Sequence, residues 1–569
     1  MALIEVLARM EAVAAGRAQP LTTVRHRHLS ERPLVFVPLT TAGEAGAPLG
    51  ALVGTDREKP LLLAVPQPRD RDLRFAFLAE LAEAVLPYVD GYADTVELEE
   101  RKETDPETGR KVPVEVELCA DAPQVIVPSA AGVEYVRLLG RSMRFRRTAE
   151  QEPDTPHPAP PHVPLLGRWF THFGERARVP GASLLLPMTG LLARHWATGQ
   201  SNLEDQHLGA LLAWLDPPEG EHGAVAAERA ETARDAAGQL LCPPAGPATD
   251  PAFDNKLLAP AMARYDAGLP GAEDEIRGLV ESCLRPTWDA VWRGLDLLRA
   301  LPEGARVADR WKRDRWSYTS HRDRVRAGEP PQPKRDDAIT AAQKLSSRET
   351  AQAQLDAQEA LDDPLVMAAR RLAGEALVGE VTGVEMAYSQ GKRPMPRPLV
   401  TLWTDDRPQL AEGGKLYRPL PDGKSQPAEF VGYVTGGPAD GSGGPADGPD
   451  GPGGPAAGSG SPSDGPSGPS GPDGPPGPAD APSVPTAGRP YGLVIRLTGG
   501  MGRGRTPEPG SVPEPGDQVC WTLFEHQPRG GPELPAPEDT PWTHGGPPAA
   551  DAGALPADLP DPVTAEDFL

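Results

Sequence analysis

The chain has 569 residues, long enough for about three domains with a core each. Its formal net charge of -24 argues against a protein that wraps nucleic acid with its whole surface, and leaves only local basic patches for that purpose. The four cysteines form no CxxC pair, which argues against a zinc knuckle or a disulfide framework, and no apolar run reaches the roughly 18 residues of a membrane helix. We therefore expect a cytoplasmic protein with no membrane segment, metal or cofactor.

Residues 1–150 predict an α/β domain. The opening segment predicts an amphipathic helix rather than a signal peptide, because Glu5 and Glu11 interrupt it. Runs rich in Val, Ile and Leu predict strands at PLVFVPL, PLLLAV, VPVEVEL and PQVIVPS, and FAFLAELAEAVLPYV predicts a second helix. The charged segment KETDPETGRKVP predicts an exposed hairpin. Arginines cluster near the end of this domain: Arg137, Arg141, Arg144, Arg146 and Arg147.

Residues 151–376 predict a helical domain around the densest apolar block of the chain, 163–218. Apolar residues at helical spacing predict three helices in this block, with stripes at 166–173, 184–196 and 203–215. Ser201 and Glu204 form a capping-box pattern at the third. Helical pattern then resumes from Asn255 to Leu301 with a break at Pro286, and again from about residue 336 to 373 with an interruption near Pro364.

One predicted helix, 305–327, combines basic and aromatic residues. Residues 306–335 contain ten basic and four acidic side chains. Arginines that neutralise phosphates and aromatic rings that stack on bases are the components of a single-strand nucleic-acid surface. The candidate nucleic-acid-binding residues are Arg310, Trp311, Lys312, Arg313, Arg315, Trp316, Tyr318, Arg322, Arg324 and Arg326. Alternatively, these arginines form ion pairs along the helix or dock onto an acidic neighbouring domain. The cluster at 141–147 extends the same surface only if the fold brings the two segments together.

A polar group between the second and third helices of the apolar block supplies candidate catalytic residues. His195, Glu204, Asp205 and His207 are residue types that bind metals or transfer protons. Both histidines also fall on apolar stripes, so the other interpretation is that they are helix-end histidines held by hydrogen bonds.

From residue 377 the pattern changes to short strands. Six strand-like runs separated by Gly, Pro and Asp predict a small β-barrel at 377–526. Between the fourth and fifth runs, residues 436–489 consist of Gly, Pro, Ser, Asp and Ala, which predicts a disordered insertion. Residues 527–569 predict a disordered, acidic, Pro-rich tail.

The order of a first strand, RPLVTLWT, a Gly-led turn, a GYV strand and a late GDxV strand resembles the OB-like accessory barrels of superfamily 1 nucleic-acid helicases. The resemblance covers less than a fifth of the chain. It implies a role beside nucleic acid or beside a separate ATPase, because the chain itself has neither a Walker A nor an acidic Walker B motif.

These patterns predict a multidomain α+β protein with an N-terminal α/β domain, a helical middle and a C-terminal barrel. For its function they favour a non-enzymatic accessory or scaffold protein that binds a partner ATPase or helicase, and single-stranded nucleic acid through the basic helix. One alternative is a hydrolase or metal-dependent nuclease that uses the four candidate catalytic residues. Another is a component of a bacterial defence system.

Overall fold

The computed structural model describes residues 3–104, 109–391, 393–421, 423–434 and 491–526. The predicted insertion at 436–489 and the predicted tail at 527–569 lie outside these residues. The chain divides into two compact units, one comprising residues 1–375 with the segment that begins at Phe524, and the other comprising Ala376–Leu523. The protein is therefore a multidomain α+β protein, as predicted.

Helices and strands alternate through the first unit. Its helices are α1 (Leu3–Ala15), α2 (Arg71–Asp90), α3 (Ala130–Met143), α4 (Val163–Ala177), α5 (Met188–His195), α6 (Leu208–Leu215), α7 (Gly223–Thr232), α8 (Pro251–Phe253), α9 (Ala259–Asp266), α10 (Ala272–Arg299), α11 (Val307–Arg326), α12 (Ala338–Asp362) and α13 (Pro364–Leu372). Its strands are β1 (Gln19–Pro20), β2 (Leu34–Thr40), β3 (Pro48–Gly54), β4 (Leu61–Ala64), β5 (Val96–Thr104), β6 (Lys111–Cys119), β7 (Val125–Val127), β8 (Leu185–Pro187) and β9 (Trp196–Ala197).

A sheet of five described strands lies at the centre of this unit, in the order β4–β3–β2–β7–β8. Strand β2 pairs antiparallel with β3 and parallel with β7, and β7 pairs parallel with β8. Every residue of β2 is buried because its alternate side chains face two cores. Leu34 and Phe36 pack with side chains of α2, α3 and α4, whereas Val35 and Val37 pack with those of α5, α6 and α10. The sheet is thus the middle of three layers, and apolar burial on both faces stabilises it.

Strand β8 differs from the sequence prediction. The pattern predicts a helix from Leu184 to Trp196, but Leu185–Pro187 is an edge strand and the helix begins at Met188. A short apolar run is compatible with a helix or a strand. Here the run forms a strand because it pairs in parallel with β7. Because β8 completes the central sheet, the predicted boundary at residue 150 lies inside the first unit.

Two helices also differ in extent from the prediction. Helix α6 begins only at Leu208, after a 3-10 turn at Glu204–Gln206, and Leu203 is therefore 82% exposed. Helix α10 continues through Pro286, where the sequence predicts a break. A buried stripe continues along α10 on both sides of the proline, and we attribute the unbroken helix to this burial, which offsets the roughly 3 kcal/mol cost of an internal proline.

The second unit is a closed barrel, which confirms the predicted six strands. They are β10 (Ala376–Glu385), β11 (Leu399–Thr404), β12 (Lys415–Pro419), β13 (Ser425–Val434), β14 (Tyr491–Leu497) and β15 (Gln518–Thr522), in the spatial order β10–β11–β14–β13–β12–β15. Inward side chains that include Val400, Phe430 and Trp521 fill its core. Strands β13 and β14, which flank the predicted insertion, are direct antiparallel neighbours with Val434 opposite Gly492. Within the described ranges, no helix has both the length and the apolarity that crossing a membrane requires.

Candidate anion-binding cavity

Helices α3 and α4 lie in close contact because glycines occupy the contact points. A Cβ atom on Gly140 would come within 2.5 Å of the Thr171 backbone nitrogen, and one on Gly167 would come within 2.5 Å of the Arg144 backbone nitrogen. Any larger side chain at these positions would push the helices apart. This close contact places the arginines of α3 beside those of α4.

The C-terminal half of α11 packs against α4 through aromatic rings. The Trp169 ring centroid lies 5.4 Å from that of Tyr318 and 4.7 Å from that of His321. The rings of His172 and His321 stack with their centroids 4.2 Å apart and an interplanar angle of 8°. These contacts bring His321 and Arg324 to the same side of α4 as its arginines.

The proline-rich segment that joins α11 to α12 closes this region. Arg144, which is only 4% exposed, donates from Nε to the Gln332 carbonyl at 2.9 Å and from Nη2 to the Pro333 carbonyl at 3.2 Å. Asp337 then caps α12 by accepting from the Thr340 backbone nitrogen at 2.8 Å. The start of α12 therefore lies across from α3 and α4.

Together these elements enclose a cavity of about 490 Å³, which we call the basic cavity. Its volume lies within the range of about 300–1,000 Å³ that is usual for ligand sites. Three carboxylates line it, those of Glu175, Glu329 and Asp336. Eight cationic side chains line it as well: Arg137, Arg141, Arg144, Arg168, Arg178, Arg324, Lys334 and Lys344. The walls therefore carry a strong positive excess within a chain of net charge -24.

The carboxylates of this lining leave at least one buried donor without a hydrogen bond. The Asp336 carboxylate binds Lys344 at 2.6 Å, and Glu175 binds Arg348 at 3.2 Å. In contrast, Nε of Arg168 is buried without a hydrogen-bond partner. Burial lowers the pKa of the Arg168 guanidinium, and the nearby Glu329 opposes that change. Cations and buried donors arranged in this way attract an anion.

His321 adds a neutral ring to the wall. It is 2% exposed, and neither ring nitrogen makes a hydrogen bond of ordinary geometry. Burial is the main cause that lowers the pKa of His321 to about 3, and the positive charges of Arg324 and Arg168 also lower it. The ring is therefore uncharged at neutral pH and offers one nitrogen donor and one acceptor.

The structure corrects much of the predicted nucleic-acid surface on α11. Arg310, Trp311, Tyr318 and Arg322 are buried, because this helix is packed into the first unit on several sides. Trp311 Nε1 donates to Asp121 at 2.9 Å, and Tyr318 Oη donates to the Val89 carbonyl at 2.7 Å. In this fold the four buried residues form no exposed surface on which a nucleic-acid strand could stack or lie.

Several other basic residues of α11 pair with acidic residues, as the alternative interpretation expects. Lys312 lies 2.7 Å from Glu99, and Arg315 binds Glu97; both acids are on the β5–β6 hairpin. Arg326 also binds an acid, Asp94. Two further candidates have other partners: Arg313 donates to the Gln354 amide, and the Trp316 ring lies under the Arg101 guanidinium, 5.9 Å from its centroid. Among the predicted nucleic-acid-binding residues, Arg324 lines the basic cavity, where it meets the arginine cluster of α3.

The four candidate catalytic residues have structural hydrogen bonds. His195 is 1% exposed; its Nδ1 donates to the Leu191 carbonyl at 2.7 Å, so its Nε2 accepts from the His26 backbone nitrogen at 3.3 Å. Burial lowers the pKa of His195 to about 4. The backbone nitrogen of Ser201 donates to Glu204 at 2.7 Å, but this contact lies at the 3-10 turn and does not cap the third helix as predicted, because α6 begins at Leu208 and is capped by His207.

Asp205 and His207 also serve local structure. The buried Asp205 carboxylate accepts from the Thr198 hydroxyl at 2.7 Å, and burial raises its pKa. His207 caps α6 by accepting at Nδ1 from the Ala210 nitrogen at 3.1 Å. These contacts match the helix-end interpretation.

Nothing in the described part of the chain groups three or more His, Cys, Asp or Glu side chains so that they could hold a metal ion. No family model, curated protein or solved structure matches the chain. The basic cavity therefore has to be interpreted from its own chemistry.

Proposed function

We propose that this chain is a non-catalytic binding protein that holds single-stranded nucleic acid, with the phosphates of one or two nucleotides in the basic cavity. The observation that carries this proposal is the set of eight cationic side chains around one cavity in a strongly acidic protein. Basic grooves of this kind track the phosphate backbone, and their binding weakens as salt rises.

An exposed aromatic ring beside the cavity supports a nucleic-acid ligand. Phe145 is 40% exposed and follows Arg144 in the chain, and the Arg144 guanidinium lies 4.7 Å from its ring centroid. Single-strand binding proteins combine cationic grooves with such rings, on which bases stack. The volume of the cavity favours a flexible single strand over a duplex. The partner ATPase or helicase predicted from the resemblance of the barrel remains part of this proposal.

Fluorescence anisotropy with a labelled oligo(dT) of about 12 nucleotides tests the proposal. We expect binding that weakens steeply with salt, and we expect Arg178→Ala and Arg324→Ala each to lower the salt slope by about 0.7. Arg69→Ala is the matched control, because Arg69 is an exposed arginine outside the lining of the cavity. Absence of binding at low salt, or an equal loss in the control, would contradict the proposal.

A further inference from the structure

A second cationic cavity lies on another side of α12. It has a volume of about 480 Å³ and is formed by the end of α4, the turn that follows it, the first half of α11 and the middle of α12. Arg176, Arg310 and Arg313 line it, and its lining contains no carboxylate. We call it the arginine pocket. It shares no lining residue with the basic cavity, so the two can be tested separately.

The three guanidinium groups are held in place by the protein. Arg310 is 3% exposed, and it donates from Nη1 to Gln358 at 2.8 Å and from Nη2 to the His26 carbonyl at 3.2 Å. Arg176 binds the buried Asp314 at 2.6 Å. Arg313 donates to Gln354 at 2.6 Å. The side chains are thus already ordered, which lowers the entropic cost of binding a ligand.

Buried donors remain after these contacts. The Nε atoms of Arg176 and Arg310 are buried and have no hydrogen-bond partner. The carboxylate nearest to Arg310, Asp362, lies 4.0 Å away and binds Arg306 at 2.7 Å. A buried donor that makes no hydrogen bond destabilises the protein, more so when it is charged, and such donors in a native protein call for an explanation such as a bound ion.

The turn above the pocket has a conformation that requires glycine. Gly181 has φ of +85°, and a Cβ atom there would come within 3.1 Å of Arg310 Cδ. A left-handed glycine therefore lets the backbone pass close to the buried arginine. The pocket is built by both the turn and the helices.

We infer that the arginine pocket binds the phosphate group of a phosphorylated polyhydroxy compound, such as a sugar phosphate. Guanidinium groups recognise phosphate through charge-assisted hydrogen bonds. Ser346, Ser347 and Thr350 add hydroxyl groups on α12, and Gln343 and Gln354 add amides, which suit the hydroxyl groups of a sugar. The lining contains no aromatic side chain on which a base could stack, so the pocket favours a sugar phosphate over a nucleotide.

Isothermal titration calorimetry of the full chain with ribose 5-phosphate tests this inference, with inorganic phosphate, ribose and adenosine monophosphate as comparisons. We expect ribose 5-phosphate to bind most tightly, inorganic phosphate to bind more weakly and compete with it, and ribose not to bind. Arg313→Ala should weaken ribose 5-phosphate binding about tenfold or more. Ser347→Ala, on the exposed face of α12, should weaken ribose 5-phosphate but not inorganic phosphate.

Arg178→Ala is the control, because it removes a cation from the basic cavity only, and it should bind ribose 5-phosphate as the wild type does. No binding of either phosphate compound would overturn the inference, as would full binding by Arg313→Ala or loss of binding in Arg178→Ala. Tighter binding of adenosine monophosphate than of ribose 5-phosphate would overturn the sugar-phosphate class. None of these outcomes depends on oligonucleotide binding, so this inference and the proposed function can fail separately.

Discussion

His172 and His321 stack face to face, with His321 in the wall of the basic cavity, and both rings are buried. Burial is the main cause that lowers both pKa values, that of His321 to about 3. His321, Arg176 and Arg324 lower the pKa of His172 further, and Arg324 and Arg168 lower that of His321. In the unfolded chain a histidine titrates near 6.5. Below that pH the unfolded state binds more protons than the folded state, and stability is lost as the pH falls toward 3.

This difference in proton binding predicts that stability falls as the pH falls, and that the substitution His321→Phe makes the loss smaller. Between pH 6 and 5 the free energy of unfolding of the wild type should fall by about 1 kcal/mol more than that of His321→Phe, since one proton per pH unit corresponds to about 1.4 kcal/mol. Urea unfolding at the two pH values measures the difference. His162→Gln, at an exposed histidine, should follow the wild type; parallel losses in wild type and His321→Phe would show that His321 is not the group responsible.

The positions and partners of individual arginine side chains were the hardest features to predict from the sequence. Arg310 and Arg322 lie in a segment whose composition is typical of a nucleic-acid-binding surface. No local sequence pattern distinguishes an arginine that faces solvent from one that binds a carbonyl group far away in the chain. Arg322 donates to the Ala93 carbonyl, and Arg310 to the His26 carbonyl. The sequence signal for the cavity is the polar face of α4, which carries Arg168. The sequence does not show that α3 packs beside this face and adds its own arginines, so the cavity could not be predicted from the sequence.

At the scale of elements, the contact of α3 with α4 fixes the geometry of the basic cavity. A Cβ atom on Gly140 would meet the Thr171 nitrogen at 2.5 Å and the Phe170 carbonyl carbon at 2.8 Å, and backbone atoms of a packed helix cannot move aside cheaply. We expect Gly140→Ala to lower the free energy of unfolding by about 1–3 kcal/mol and to weaken oligonucleotide binding, because the arginines of the two helices move apart.

Gly278→Ala is the matched control for this prediction. Gly278 lies within α10 and is exposed, and a Cβ atom at this position would have no neighbouring atom within 4 Å. Alanine there should raise the free energy of unfolding by about 0.5–1 kcal/mol and leave oligonucleotide binding unchanged. Thermal unfolding together with anisotropy measures both variants, and equal stability of Gly140→Ala and the wild type would refute the proposed contact.

Most elements could be predicted because their hydrophobic period is clear. The barrel strands and the amphipathic helix α4 follow from spacing alone. Strand β3 did not, since Gly50 interrupts its apolar run; a Cβ there would meet Val280 Cγ1 at 2.5 Å, so packing against α10 selects the glycine. The prediction of strand β8 was wrong for a different reason: its partner β7 lies about sixty residues earlier in the chain, and local spacing does not reveal that pairing.

At the scale of the whole molecule, the barrel should not depend on the segment that connects β13 to β14. Val434 and Gly492 face each other in a direct antiparallel pair, which a turn of about four residues can join. We expect replacement of residues 435–490 by such a turn to preserve the barrel and its thermal midpoint. The difference in near-ultraviolet circular dichroism between each protein and its Trp521→Phe variant isolates the signal of the buried Trp521 among ten tryptophans, and loss of that difference signal in the shortened protein would contradict the prediction.

Helix α12 forms part of the wall of both cavities, with Thr340 and Lys344 on one and Ser346 and Thr350 on the other. Both proposed ligands would therefore contact the same helix, and any coupling between them would have to be reciprocal. If a sugar phosphate changes the affinity for a nucleic-acid strand by some factor, the strand must change the affinity for the sugar phosphate by the same factor. Under the two proposals above, the concentration of a small metabolite would then set the affinity with which the protein holds a strand.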